Sequence, residues 1–72
     1  MSSARPAAAA AGLLVTLAPQ LRDELRPGGV LLASGIFIDR EPDVRAAFEN
    51  VGLEVRNRTG EGEWVALEAA RR

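Results

Sequence analysis

Hydrophobic positions change their rhythm several times along this chain, and each change marks a different element. Leu13, Leu14, Leu17, Leu21 and Leu25 recur at helical spacing and give one apolar face. Pro19 interrupts that face, and an interior proline costs about 3 kcal/mol in a helix. The pattern therefore predicts a short helix through about Leu17 and a second from Pro19 to Arg26, with Pro19 in its first turn. Pro27-Gly28-Gly29 then ends the helix and reverses the chain, because proline cannot extend a helix and glycines accept positive φ. From Val30 to Ile38 almost every position is apolar, with no polar alternation. A strand of that kind is expected to be covered on both faces, as in a parallel sheet between helices.

The helical rhythm returns at Val44, Ala47, Phe48 and Val51, with Asp43, Arg45 and Glu49 turned to water. Asp39 or Glu41 can cap this helix, Pro42 suits its first turn, and Gly52 closes it as a left-handed cap residue. Leu53, Val55 and Asn57 alternate with Glu54, Arg56 and Arg58, the mark of a one-sided strand near a sheet edge. Thr59 to Gly62 reads as a hairpin loop. Trp64-Val65-Ala66-Leu67 is apolar at successive positions, so the last strand is expected to be buried on both faces, with Trp64 as a core anchor.

These elements predict an α/β half-sheet ordered helix, strand, helix, strand, strand. Its crossover is right-handed, and its last strand is antiparallel and inserted between the other two. Met1 to Pro6 lacks periodicity and Ala7 to Ala11 is helix-prone low complexity. Residues 1–10 are accordingly expected to be a disordered or helical lead-in to a domain over 11–72, and Arg71 and Arg72 a frayed tail.

Composition narrows the chemistry. Seventy-two residues make one small domain with a marginal core, and without cysteine there is no disulfide or zinc-thiolate to staple it. His, Lys, Tyr and Cys are all absent, which removes most general bases and nucleophiles that work near neutral pH. Arginine supplies all nine cationic side chains against ten acids, for a net charge of −1. That balance carries no footprint of nucleic-acid binding. No apolar run reaches the ~20 residues of a membrane span. One arginine followed by the apolar stretch Ala7 to Ala18 has a rival reading as a signal or transit peptide. The stronger expectation is a cytoplasmic protein.

Together these elements resemble the C-terminal third of a class I S-adenosylmethionine-dependent methyltransferase, from about Ala11 to Arg71. The carriers begin with Ala11-Gly12-Leu13-Leu14, Leu17-Ala18-Pro19 and Leu21, Leu25-Arg26-Pro27-Gly28-Gly29 and Leu32-Ala33-Ser34-Gly35-Ile36. Val44-Arg45-Ala46-Ala47-Phe48, Gly52-Leu53 and Glu63-Trp64-Val65-Ala66-Leu67 complete them. The chain is most similar to the family that methylates ribosomal protein eleven of the large subunit. The resemblance implies a Rossmann-like sheet, S-adenosylmethionine as the parent cofactor, and a ribosomal protein as substrate.

It also implies a gap. The family holds its cofactor over the ends of its first strands with a glycine-rich loop and an acidic residue, and the only Gly-x-Gly here, Gly60 to Gly62, sits between two strands. The Asn-Ile-Leu-type motif beside the methyl group would fall at about Ala7 to Ala10, where only alanine stands. By this reading the chain is a fragment that carries no catalytic, cofactor-binding or metal residue and binds no cofactor alone. Its partners are then the missing N-terminal methyltransferase half, or a second copy joined through a bare edge of the strand Val30 to Phe37. The competing reading is a non-enzymatic α/β interaction module that completes its sheet with a partner strand.

Ser34 and Gly35, at the carboxyl end of the first apolar strand, are the candidates for the active-site rim of the parent fold. Their plainer reading is a small-residue pair that permits close packing. Asp39, Glu41 and Asp43 read as helix-start acids rather than a metal cluster. Arg56 and Arg58 read as solvated edge-strand charges.

Overall fold

Four strands pair here in one sheet with the spatial order β1-β2-β4-β3. The structure is a computed structural model that describes residues 4–8 and 11–72. Its elements are β1 (Ala4–Ala8), α1 (Ala11–Glu24), β2 (Val30–Phe37), a 3₁₀ turn (Ile38–Arg40), α2 (Glu41–Asn50), β3 (Leu53–Glu61) and β4 (Trp64–Arg71). β1 and β2 are parallel, and β4 runs antiparallel to both β2 and β3. The last strand thus lies between its predecessors, as the pattern predicts.

Both strand–helix–strand crossovers step across the sheet in the same direction, and right-handed crossovers then place both helices on one face. α1 and α2 pack against each other there. From the helices, Leu14, Ala18, Val44 and Phe48 meet Leu31, Ala33, Ile36, Leu53, Val65, Leu67 and Ala69 from the sheet in one buried cluster. α2 follows its predicted stripe, with Val44 and Phe48 buried and Ala47 and Val51 packed at the margin.

The sequence pattern and the structure part company at five places. α1 is one helix through Pro19, not two. Proline removes a single N–H, and the carbonyl it orphans, on Val15, lies on the exposed side where water can replace the bond. Breaking the helix would misalign Leu14 and Ala18 with Leu25, all buried on the same side. Leu13, expected on the apolar face, is 53% exposed, and Leu17 is also exposed.

Ala4–Ala8 is a strand, not a disordered or helical lead-in; residues 1–3 and 9–10 lie outside the described residues. It pairs with Val30 to Ser34, so that stretch of β2, expected to be bare, is hydrogen-bonded on both sides. Five residues of ladder outweigh the helix propensity of alanine, which is a weak local preference.

The hairpin is tighter than predicted: Glu61 already pairs with Trp64, leaving Gly62 and Glu63 as a two-residue turn. Arg71 is no frayed tail. Its N–H donates to the Gly29 carbonyl at 2.9 Å, its carbonyl accepts from Gly28 N–H at 3.0 Å, and its guanidinium donates to the Leu25 carbonyl. Gly29 is required at this junction, because a Cβ there would stand 2.8 Å from the Arg26 carbonyl oxygen.

The fifth difference concerns the faces. β2 and β4 were expected to be covered on both sides, yet β4 alternates, with Val65, Leu67 and Ala69 buried under the helices while Trp64 is 55% exposed. Trp64 is therefore not a core anchor.

Phe48 has no exposure and is the largest fully buried side chain. Phe→Ala in a core costs about 3–5 kcal/mol, comparable to the whole of what a core this small supplies, about 3–5 kcal/mol. We expect Phe48→Ala to abolish the cooperative urea transition seen by circular dichroism, while Leu13→Ala shifts its free energy by less than about 1 kcal/mol.

Candidate functional site

The carboxyl ends of the parallel strands β1 and β2 and the β3–β4 hairpin meet at one end of the sheet. Two features fix that end. The N–H of Ile38, just past β2, donates to the Glu63 carbonyl at 2.9 Å and ties the 3₁₀ turn to the hairpin. The register of β2 against β4 shifts between Ala33 and Ile36, so Ser34 and Gly35 together oppose the single residue Ala66. Gly35 sits at φ +74°, which an L side chain rarely adopts, and this explains why glycine occupies the bulge.

The bulge is the answer to the small-residue pair that the sequence singles out. Ser34 and Gly35 are exposed, not packed under a helix, so close packing is not their role. They border two adjoining depressions on the helix-free face. One, of about 430 Å³, is lined by Leu32, Ser34, Asn57, Thr59, Ala66 and Glu68, among others. The other, of about 190 Å³, runs past Gly35 to Glu61 and Trp64. Asn57 Nδ2 donates to Glu68 Oε2 at 3.4 Å across the groove. Phe37 and Trp64, paired across the strands, meet edge to face with ring centroids 5.5 Å apart.

Chemically this end offers hydroxyls, one amide, carboxylates and an aromatic edge. The hydroxyls of Ser34 and Thr59 are exposed there and able to orient a ligand. Among the described residues there is no cluster of acidic side chains able to hold a metal ion.

Asp39, Glu41 and Asp43 are dispersed rather than gathered. None caps α2: Arg40 is its N-cap residue and makes no side-chain cap bond. Pro42 does occupy the first turn, as expected. Asp43 faces Arg40 at 3.6 Å. Glu41 instead receives Arg58 Nε at 2.9 and 2.8 Å on its two oxygens, and Arg45 at 3.3 Å. Arg58 is thus the strap between β3 and the start of α2, not a solvated edge charge. No local pattern could disclose a pair 17 residues apart: by alternation Arg58 falls on the polar side with Glu54 and Arg56, and the bulge between Val55 and Asn57 turns it to the helical side, opposite Leu67. Arg56, by contrast, is exposed, with Glu54 at 3.6 Å. Trp64 was legible from phase: Glu68 falls on the same face of β4 and marks it as the open one.

Burial pushes the Glu41 carboxyl upward, but the hydrogen bonds and charges of Arg58 and Arg45 outweigh it and the net shift is downward from 4.5.

An α/β half-sheet with a central antiparallel last strand and its open end formed by parallel strand termini and a hairpin defines a class I methyltransferase portion. A solved ribosomal protein L11 methylase from Lactobacillus delbrueckii subsp. bulgaricus superposes with a TM-score of 0.87 at 24% identity, covering 97% of this chain and 38% of that one, which shows the fold. The chain belongs to the ribosomal protein L11 methyltransferase (PrmA) family, whose model matches residues 7–72. Ribosomal protein L11 methyltransferase from Chloroflexus aurantiacus is 54% identical over 57 residues, 79% of this chain and 17% of that protein. The Thermus thermophilus protein of the same name is 46% identical over 57 residues, 79% of this chain and 22% of its own length. The chain thus spans about a fifth of the length of these relatives.

Two outcomes are expected. Glu41 contributes stability that is fully present above its unfolded value and is lost as pH falls through its lower folded value. The difference in urea midpoint between the wild type and Glu41→Gln should therefore be present at pH 7 and close below about pH 4.5. Gly35→Ala should lower stability by about 1–2 kcal/mol through its left-handed backbone alone, read from the same urea titration.

Proposed function

We propose that this chain serves as the C-terminal portion of an S-adenosylmethionine-dependent protein methyltransferase acting on a ribosomal protein in the cytoplasm, and that it transfers no methyl group by itself. The observation that carries the reading is the family match over residues 7–72 on a sheet with that family's architecture.

Two features of the described residues support a chain that leaves the cofactor to the rest of the domain. Gly60 and Gly62 lie in β3 and its hairpin turn rather than in a loop that opens a helix, so no row of backbone N–H groups and no helix dipole converges beside them. Ala7 and Ala8, where the family's Asn-Ile-Leu-type motif would fall, end β1 with no amide to hold an amine. The role left to this portion is to frame. What supports a rim role for Ser34 and Gly35 is that the bulge exposes them at the end of β2, beside the hairpin that the tie from Ile38 to Glu63 holds in place. In methyl transfer the protein chiefly aligns the amine with the methyl carbon and excludes water, so a rigid wall at that rim is a contribution in itself.

Isothermal calorimetry of the 72-residue chain with S-adenosylmethionine should give no saturable heat, and micromolar binding would overturn the proposed division of labour. A full-length chimaera, made by replacing the matching segment of the Chloroflexus aurantiacus protein with this chain, should transfer labelled methyl groups to ribosomal protein L11. A folded chimaera without transfer would count against the reading.

A further inference from the structure

The hairpin at the open end of the sheet is fastened unequally on its two strands. On the β4 side the backbone holds it: Phe37 pairs with Trp64, Ile36 pairs with Val65, and the Ile38 N–H donates to the Glu63 carbonyl. β3 is the edge strand and pairs with β4 alone. Its first half is anchored by Leu53, which is buried, and by Val55, packed at the margin of the core. From Arg56 to Glu61 every residue is exposed. Asn57 reaches only Glu68, within the same strand pair. Among the described residues, one side-chain hydrogen bond joins this half of β3 to an element other than β4. It is made by Arg58, whose Nε donates to the two Glu41 oxygens at 2.9 and 2.8 Å.

The tie governs the position of the residue beside it. Thr59, on the opposite face from Arg58, borders both depressions next to Ser34 and Gly35. It lies about 13 Å of strand beyond Val55, so a swing of about 5° displaces it by about 1 Å. Neighbouring strands vary in twist by more than that. A displacement of about 1 Å in the frame of a reaction can cost about a hundredfold in rate.

We propose that Arg58 and Glu41 are a positioning pair for methyl transfer, holding the outer half of β3 at a fixed angle and thereby fixing the Thr59 side of the rim against Ser34 and Gly35. The inference rests on the reading that this chain frames the site of a family methyltransferase. Arg45 makes the pair separable from the fold. It lies one turn along α2 from Glu41 and keeps that carboxylate paired at 3.3 Å. Removing Arg58 therefore cuts the link to β3 without stranding a shielded charge.

Two measurements test this. The chain contains no cysteine, so spin labels on Glu61→Cys, at the end of β3, and Glu49→Cys, on the exposed side of α2, report the angle of β3 in the isolated chain. Arg58→Met should broaden the distance distribution between them at least about twofold. Arg56→Met, which loses only an exposed contact within β3, should leave it unchanged. In the Chloroflexus aurantiacus chimaera, S-adenosylmethionine sites are counted by calorimetry and rates are expressed per site, which removes any loss of folded protein. Arg58→Met should then lower kcat/KM for ribosomal protein L11 at least about tenfold, with the Kd for S-adenosylmethionine within about twofold of wild type. Glu41→Ala should do the same, the double variant should be no worse than either single one, and Arg58→Lys should recover part of the loss.

An unchanged distance distribution, or an unchanged kcat/KM per site in an active chimaera, overturns the inference and leaves the functional reading standing. A Kd for S-adenosylmethionine that rises as far as kcat/KM falls assigns the pair to general stability and overturns it too. If Arg58→Met leaves no binding sites to count, Arg58→Lys decides on the same terms. A folded wild-type chimaera that transfers no methyl group overturns the functional reading, and this inference with it.

Discussion

The whole arrangement depends on β4 being hydrogen-bonded along both of its edges. It is the one strand that contacts two neighbours laid down earlier in the chain, joining β2 to β3. Remove it and β3 has no backbone pairing to the rest of the sheet. Its start is set by the two-residue hairpin at Gly62, and its end by the ladder from Arg71 to the turn glycines. The chain's last strand therefore carries the most non-local pairing, and the loop-closure entropy this costs is recovered only when Val65, Leu67 and Ala69 reach the helices.

That constraint explains which parts of the fold were legible in the sequence. α2 and β2 follow from local rhythm, decided by neighbours within a few residues, and the position of β4 follows from the connection rules. The misreadings share one cause. Pro19 stays helical because tertiary burial of Leu14, Ala18 and Leu25 outweighs a local penalty. Ala4–Ala8 forms a strand because β2 offers it a ladder, and alanine carries no periodicity that could announce this. Arg71 is anchored by a turn more than forty residues away. Of the candidate site, Ser34 and Gly35 were visible as a small pair, but their bulge exists only through the register with Ala66.

Electrostatics divides the two faces as clearly as hydrophobicity does. On the helical side Glu41, with 12% of its side chain exposed, meets Arg58 and Arg45, so charge there is locked into a strap that joins helix to sheet. On the other side Glu61 and Glu68 face a groove bordered by apolar side chains. The compensated charge fastens helix to sheet, whereas the nearest polar neighbour of Glu68 is the neutral amide of Asn57.

The expectation that β2 and β4 are covered twice is not met by the described helices, which cover one face only. Leu32, Phe37 and Trp64 are side chains whose burial is worth roughly 1.5–3 kcal/mol each when complete. A core of this size has little reserve against which to leave them wet. The same residues that make the sheet marginal alone make it adhesive in company.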